Sequence, residues 1–330
     1  MISWFHRALA LTAVAFVAAC GGSEDHNPAP AAAVPVSIAQ TAVNANLGAL
    51  VAAATKAGLV PTLSDASANL TVLAPTDQAF TALATRLGFS SATAMVDALP
   101  ASALQSILQY HVIAGRVNAA AFQTGPATRP TLYTFGGAPA TLSVSTTGGV
   151  GFTDAVLTRA NVSTADVAAS NGIVHVIDKV LVPPGVLNVV QMALANPEFS
   201  SLTGALAARS LVSTLSGAGP FTVFAPTNAA FSSIASTVAG LNGTQLDTVL
   251  TYHVLGLQVL SSGIPFGTPV ATLASTIATP RQITITAGPA PAIASIADST
   301  TTAARISAVD IRASNGVIHV IDKVLIPNGL

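Results

Sequence analysis

The side chains in this chain that could do chemistry are few, and most of them come in matched pairs. Of 330 residues, 13 are Asp or Glu, 6 are His and one is Cys. Two histidines, His111 and His253, each follow a tyrosine; two more, His175 and His319, sit inside Val/Ile-rich runs. Histidine can serve as a general base, a metal ligand or a hydrogen-bonded core residue. A zinc-type site needs two or three further ligands close by, and neither His-x-His, His-x-x-x-His nor clustered carboxylates occur beside these four. His175 alternates with Ile173 and Ile177 while Val174 and Val176 take the other face; Val317, Ile318, Val320 and Ile321 repeat this around His319. A strand apolar on both faces is a buried one, so both are expected to be neutral core histidines with hydrogen-bonded ring nitrogens. His6 and His26 fall in the leader and the tether described below.

Nucleophilic and phosphate chemistry find no footing. There is no Gly-x-Ser-x-Gly elbow, no Gly-rich phosphate loop and no paired acidic motif. Gly148-Gly-Val-Gly151 lies among strand segments and reads as a hairpin turn. No catalytic residue, metal or cofactor is expected, and the chain is not read as an enzyme. With 8% charged residues and a net charge of −1, no basic field is present to attract nucleic acid.

What remains is binding, and here two pairs stand out. Tyr110-His111 and Tyr252-His253 close apolar helices; they are either contact residues or an aromatic packed at a helix end whose His fixes the next turn. Asp166-Val167 and Asp310-Ile311 each precede the tetrapeptide Ala-Ser-Asn-Gly. In so uncharged a chain such a carboxylate is either a contact for a partner or an acceptor for loop amides.

These residues recur because the chain repeats itself. Thr71-Val-Leu-Ala-Pro-Thr-Asp-Gln-Ala-Phe80 returns as Thr222-Val-Phe-Ala-Pro-Thr-Asn-Ala-Ala-Phe231, Tyr110-His-Val112 as Tyr252-His-Val254, and Ala169–Leu181 as Ala313–Leu325. The offsets are 151, 142 and 144 residues, in unbroken order, so the chain holds two copies of one domain. Each copy is long enough to bury about two-thirds of its unfolded surface. Leu70–Leu73 and Phe221–Phe224 read as strands ending at Pro75 and Pro226. Thr76-Asp77 and Thr227-Asn228 then cap helices beginning near Gln78 and Ala229. Leu104, Ile107 and Leu108 share a helix face before Tyr110, as Leu246, Val249 and Leu250 do before Tyr252. Ala140–Ser145 and Gln282–Thr286 read as strands, and Asn171-Gly172 and Asn315-Gly316 as tight turns before the last strands. Helices early and strands late in each copy imply an α+β class.

The N-terminus indicates export. A short segment with one cation, a small and apolar run from Ala8 to Ala19, and Val17-Ala-Ala-Cys20 read as a signal peptide with a lipobox-like end. Residues 1–19 are the expected signal peptide, and 20–35 the lipidated Cys20 with a disordered tether. Cys20 is the sole cysteine, so no internal disulfide is available and the domains must stand on their cores. Gly21 follows it, and by resemblance to bacterial lipoproteins the absence of Asp there favours the outer membrane.

The two long repeated blocks resemble the two signature boxes of the fasciclin (FAS1) domain, with the Tyr-His pair between them. The resemblance covers residues 36–184 and 185–330. It implies a β-sandwich or wedge with several helices packed around it in each copy, joined at Pro183-Pro184 with almost no linker. It also implies extracellular adhesion or matrix interaction. In animal members the Tyr-His motif is connected with integrin-dependent adhesion, and Asp166-Val167 and Asp310-Ile311 match the Asp-Ile of an adhesion motif whose preceding Glu-Pro is missing here. The expected partners are the membrane, through the lipid on Cys20, and a surface or matrix protein or polysaccharide. Some family members bind carotenoids, so a carrier of a small apolar ligand is the alternative. Specificity is expected where the copies differ: in the interval around Gly88 to Pro100, nine residues longer in copy one, and in the loops Arg129–Tyr133 and Pro265–Pro269.

Overall fold

A computed structural model describes residues 35–274, 281–288 and 293–330. The expected signal peptide, Cys20 and nearly all of the tether lie outside the described residues. In the first copy, helices α1 (Ile38–Asn44), α2 (Gly48–Lys56) and α3 (Val60–Ser64) lead into strand β1 (Leu70–Pro75). Then α4 (Asp77–Arg86), α5 (Ala92–Ala98) and α6 (Ala101–Tyr110) return as β2 (Val112–Ala114). After α7 (Ala119–Thr124) come β3 (Thr128–Phe135), β4 (Ala138–Ser145), β5 (Gly151–Thr153), β6 (Arg159–Ala169) and β7 (Gly172–Ile177). The second copy runs α8 (Val189–Ala195), α9 (Ser200–Ala208), α10 (Val212–Ser216) and β8 (Phe221–Pro226), then α11 (Asn228–Ser233), α12 (Ala235–Ala239), α13 (Gly243–Tyr252) and β9 (Val254–Leu255). It ends with β10 (Pro269–Ala271), β11 (Gln282–Ala287), β12 (Ala294–Ala297), β13 (Ala304–Ala313) and β14 (Gly316–Ile321).

Each copy builds one seven-stranded sheet, in the orders β2-β1-β7-β6-β5-β4-β3 and β10-β11-β12-β13-β14-β8-β9. In each, the two repeated boxes lie side by side as the parallel pair, β1 with β7 and β8 with β14. The remaining neighbours are antiparallel, and the long β6 carries bulges that bend the sheet. The bend brings β3 back against β2, so the sheet is nearly closed, and helices cover its flank. The class is α+β, as expected.

Local chemistry explains the helix starts. Thr76 and Thr227 accept from the amides of Ala79 and Ala230 and cap α4 and α11. The next residue serves a neighbour: Asp77 accepts from Ala49 N at 2.8 Å, and Asn228 from Ser201 N at 2.9 Å, capping α2 and α9. The turn falls at Ser170-Asn171, one residue before the expected Asn171-Gly172, with no left-handed residue in it and Gly172 already in β7. Asn171 is fully buried: it accepts from Ile38 N and donates to the carbonyls of Leu63 and Asp65. Asn315 does the same with Val189, Leu215 and Gly217. Gly172 is required by close packing, since a Cβ there would lie 2.2 Å from the Leu70 carbonyl oxygen.

Two of the three segments where specificity is expected are regular elements. Arg129–Tyr133 belongs to strand β3, because Thr131 and Tyr133 turn inward and pair it with β4. The longer interval of copy one contains α5, whose Met95 and Val96 are buried. Pro265–Thr268 does precede a strand as a turn, with Phe266 exposed. The copies also share an apolar core rather than standing apart, since residues from α4, α8 and β13 join one buried cluster within the compact unit Pro35–Leu330. Arg86 Nη1 donates to Ala195 O, Asn196 Nδ2 to Val156 O and Gly185 N to Arg312 O across the junction. The Arg312 guanidinium lies 5.4 Å from the Phe135 ring centre.

Candidate functional site

In each copy the three repeated blocks converge on the loop that follows Tyr-His. Thr71, in β1, donates its hydroxyl to Gly115 O at 2.6 Å and accepts from Val117 N at 2.8 Å. His175, in β7, donates from Nε2 to Val117 O at 2.9 Å. Asp166, in β6, accepts from Ala119 N at 2.9 Å. Copy two repeats the clamp with Thr222 on Leu257 and Val259, His319 on Val259, and Asp310 on Ser261. Asp310 also accepts the Ser261 hydroxyl.

Asp166 and Asp310 have φ of 58° and 61°, left-handed conformations in the bulges of β6 and β13. Such a backbone is uncommon for a residue other than glycine, and Asp tolerates it better than most. The bulge turns each Asp amide onto the histidine behind it, Asp166 N to His175 Nδ1 at 3.3 Å and Asp310 N to His319 Nδ1 at 3.4 Å. Both histidines therefore hold their proton on Nε2 and are the buried, hydrogen-bonded core residues expected from the strand pattern. Burial lowers the His319 pKa, against the Val259 carbonyl and Asp310, which raise it. Asp166 is exposed, Val167 and Asp310 are half-buried, and Ile311 is in the core at 2% exposure.

The Tyr-His pairs are interior. Tyr110 donates its hydroxyl to Thr141 O at 3.0 Å, and Tyr252 to Gln282 O at 2.9 Å. Burial first, and the charge of Asp154 second, raise the Tyr110 pKa. His111, 1% exposed, donates from Nδ1 to Ile107 O at 2.7 Å and accepts at Nε2 from Leu181 N at 2.9 Å. His253 matches it with Val249 O at 2.7 Å and Leu325 N at 2.8 Å. Each ring ties the end of a helix to the last residue of the second box. Burial pushes both pKa values down to about 4.

A further pair of acidic residues went unremarked in the sequence. Asp154, 4% exposed, accepts from Val156 N, Thr158 N, the Thr158 hydroxyl and Val182 N, with Lys179 4.0 Å away. Its counterpart Asp298 accepts from Thr300, from Ile326 N and from Lys323 at 2.8 Å. Burial raises the Asp154 pKa despite Lys179. At Asp298 burial is again the largest influence, but Lys323 and the amides together outweigh it and the pKa falls. The signal was available: Asp154/Asp298 and Lys179/Lys323 share the 144-residue offset of the second box.

The first copy also contains an apolar cavity of about 440 Å³ between its first three helices and the β1/β7 face of the sheet. Ile38, Leu50, Ala54, Leu63, Val72 and Val174 are among its walls. Among the described residues, no group of three His, Cys, Asp or Glu is placed to hold a metal ion, and no helix is long and apolar enough to cross a membrane.

Comparison with known proteins matches this architecture twice. The model of the fasciclin domain matches residues 45–183 and 197–327. Protein sll1483 of Synechocystis sp. is 38% identical over 148 residues, 43% of this chain and 74% of its own length. The transforming growth factor-beta-induced protein ig-h3 of Sus scrofa is 34% identical over 171 residues, which is 50% of this chain but only 23% of that protein. Among solved structures, a FAS1 domain pair from the insect cell adhesion molecule fasciclin I aligns with 87% of this chain and 95% of its own, at 18% identity and a TM-score of 0.42.

Proposed function

Because the chain belongs to the fasciclin-domain family, we propose that it is an exported binding protein, lipid-anchored through Cys20 at the bacterial outer membrane, that attaches to a surface or matrix protein or polysaccharide. On this reading residues 1–19 are removed, 20–35 form the tether, and 36–184 and 185–330 are the two binding domains. The observation that carries it is the Asp166/Asp310 turn. The same left-handed Asp is built twice, on a bulge braced from behind by a buried histidine, and its carboxylate lies beside an exposed loop. A rigid, duplicated polar contact suits weak sites acting together on one partner. The buried Tyr-His pairs support the turn by fixing the helix and strand around it, rather than by touching the partner.

The test is retention of the full chain on the host's envelope, polysaccharide and matrix fractions. The variant is the Asp166→Asn/Asp310→Asn double substitution, which keeps an acceptor oxygen for the loop amides and removes the charges. Saturable retention that the double variant loses supports this reading. Retention equal in both forms refutes the Asp turn as the contact.

A second reading, a carrier of a small apolar ligand such as a carotenoid, is favoured by the 440 Å³ cavity of the first copy. Protein from its native host would then release an apolar compound into organic solvent. Val51→Phe, which narrows the cavity wall, would abolish that release while leaving envelope retention intact.

A further inference from the structure

Only 12 Lys and Arg serve the whole chain, yet three of them, Arg86, Arg159 and Lys179, line one cleft of about 170 Å³ where the first copy meets the end of α8. Arg86, exposed on the last turn of α4, is held across the junction by its bond from Nη1 to Ala195 O at 3.1 Å. Its Nε and Nη2 have no acceptor among the described residues. Arg159 is engaged through Nη1 and Nη2 with the carbonyls of Thr147 and Gly149, both at 2.7 Å.

Lys179 is the unusual member. Its side chain is 18% exposed, its ammonium makes no hydrogen bond among the described residues, and its nearest carboxylate oxygen, on Asp154, is 4.0 Å away. That carboxylate already accepts four hydrogen bonds from other donors. The acid that lines the cleft, Asp178, is occupied through both oxygens by the backbone and side-chain amides of Asn161. Burial depresses the Lys179 pKa; Asp154 opposes this, and the neighbouring Arg86 adds to it. Asp154 and Asp178 stabilise this partly desolvated ammonium only through charge, without a hydrogen bond, so an anion bonded directly to it and to Arg86 would add to both.

Copy two shows the alternative. Lys323 lies 2.8 Å from both oxygens of Asp298, and also bonds Thr300 and Thr302. The positions matching Arg86 and Arg159 are Thr237 and Ala303. The cationic cleft is therefore a feature of the first copy, where the second copy packs against it.

We propose that this cleft binds a single oxyanion group, a phosphate, sulfate or sugar carboxylate. Lys179 Nζ and the free edge of the Arg86 guanidinium hold it, and Arg159 contributes positive potential. The site is separate from the Asp166 and Asp310 turns and does not depend on them.

Calorimetric titration of the full chain with inorganic phosphate, sulfate and D-glucuronate, at ionic strength fixed with chloride, tests this. At least one of the three should bind saturably at one site per chain. Arg86→Gln and Lys179→Met should each weaken it about tenfold, the loss expected for a charge-assisted hydrogen bond. Arg305→Gln, on an exposed residue of copy two, should leave it unchanged. Preference for phosphate or sulfate over glucuronate points to a phosphorylated or sulfated partner, and the reverse to an acidic polysaccharide. Arg86→Gln gives up the bond to Ala195 O and should melt slightly below wild type, but Arg86 lies on the exposed side of α4, so the variant still folds and remains informative if Lys179→Met does not. No saturable binding of any of the three, or equal affinity in Arg86→Gln, overturns the proposal.

Discussion

Lowering the pH from 8 to 5 should destabilise the protein chiefly through two buried rings. His111 and His253 have pKa values of about 4 in the fold, against 6.5 for an unperturbed histidine. The cause is structural: protonation would place a charge at 1% exposure and turn the acceptor Nε2 into a second donor facing the amide of Leu181 or Leu325. The unfolded chain carries no such penalty, so it takes up a proton at each ring as pH falls below 6.5, while the native state waits until about pH 4. The stabilisation is complete above pH 6.5 and is lost as pH falls from there to 4. For a shift of this size the loss is about 2 kcal/mol per ring by pH 5, and about 3 kcal/mol when complete. His319, also shifted down by burial, adds in the same sense. Urea unfolding followed by circular dichroism between pH 7.5 and 4.5 measures the slope, which should approach two protons for the two rings. His111→Gln should lower stability at pH 7.5, because the buried Leu181 amide is imperfectly matched, and should remove about one proton from the slope. Stability independent of pH across this window, or an unchanged slope in His111→Gln, would refute the argument that these rings are held neutral.

Other outcomes follow from single contacts. Asn171→Ala removes three hydrogen bonds, one of them buried, that fasten α1 and α3 to the final hairpin, and should cost about 3 kcal/mol in urea unfolding. Gly172→Ala drives a methyl to 2.2 Å from Leu70 O; thermal melts should show a loss of about 2 kcal/mol, whereas Gly204→Ala, in open space within α9, should not destabilise. Because one apolar cluster joins the copies, urea unfolding should be a single transition by circular dichroism, and two separated transitions would show that the copies fold independently.

The parts of this protein that depend on neighbours in sequence were legible in the sequence. Thr76 and Thr227 announce their helices because an N-cap bonds an amide three residues ahead. His175 and His319 could be placed in the core because a strand apolar on both faces has no solvent side. The repeat itself told of two copies of one fold, since the same residues at the same spacing reach the same topology. The turn before the last strand was legible, though it falls one residue earlier than the Asn-Gly pattern placed it and for another reason: Asn171 is a buried staple and Gly172 a close approach, and neither is left-handed.

Contacts that join distant segments were decided only by the tertiary structure. Nothing local says that Asp166 turns left-handed in a bulge, or that its carboxylate reaches Ala119, 47 residues earlier. The choice between contact and support for Tyr110-His111 rests on Leu181, 70 residues away. Arg129–Tyr133 looked like a loop until pairing with β4 made it a strand. The unequal fates of Lys179 and Lys323, identical in sequence context, are set by where Asp154 and Asp298 spend their hydrogen-bonding capacity. Sequence thus determined the elements and their duplication through short-range periodicity and capping. The fold determined which polar groups are satisfied internally, because that depends on what long-range packing brings within about 3 Å.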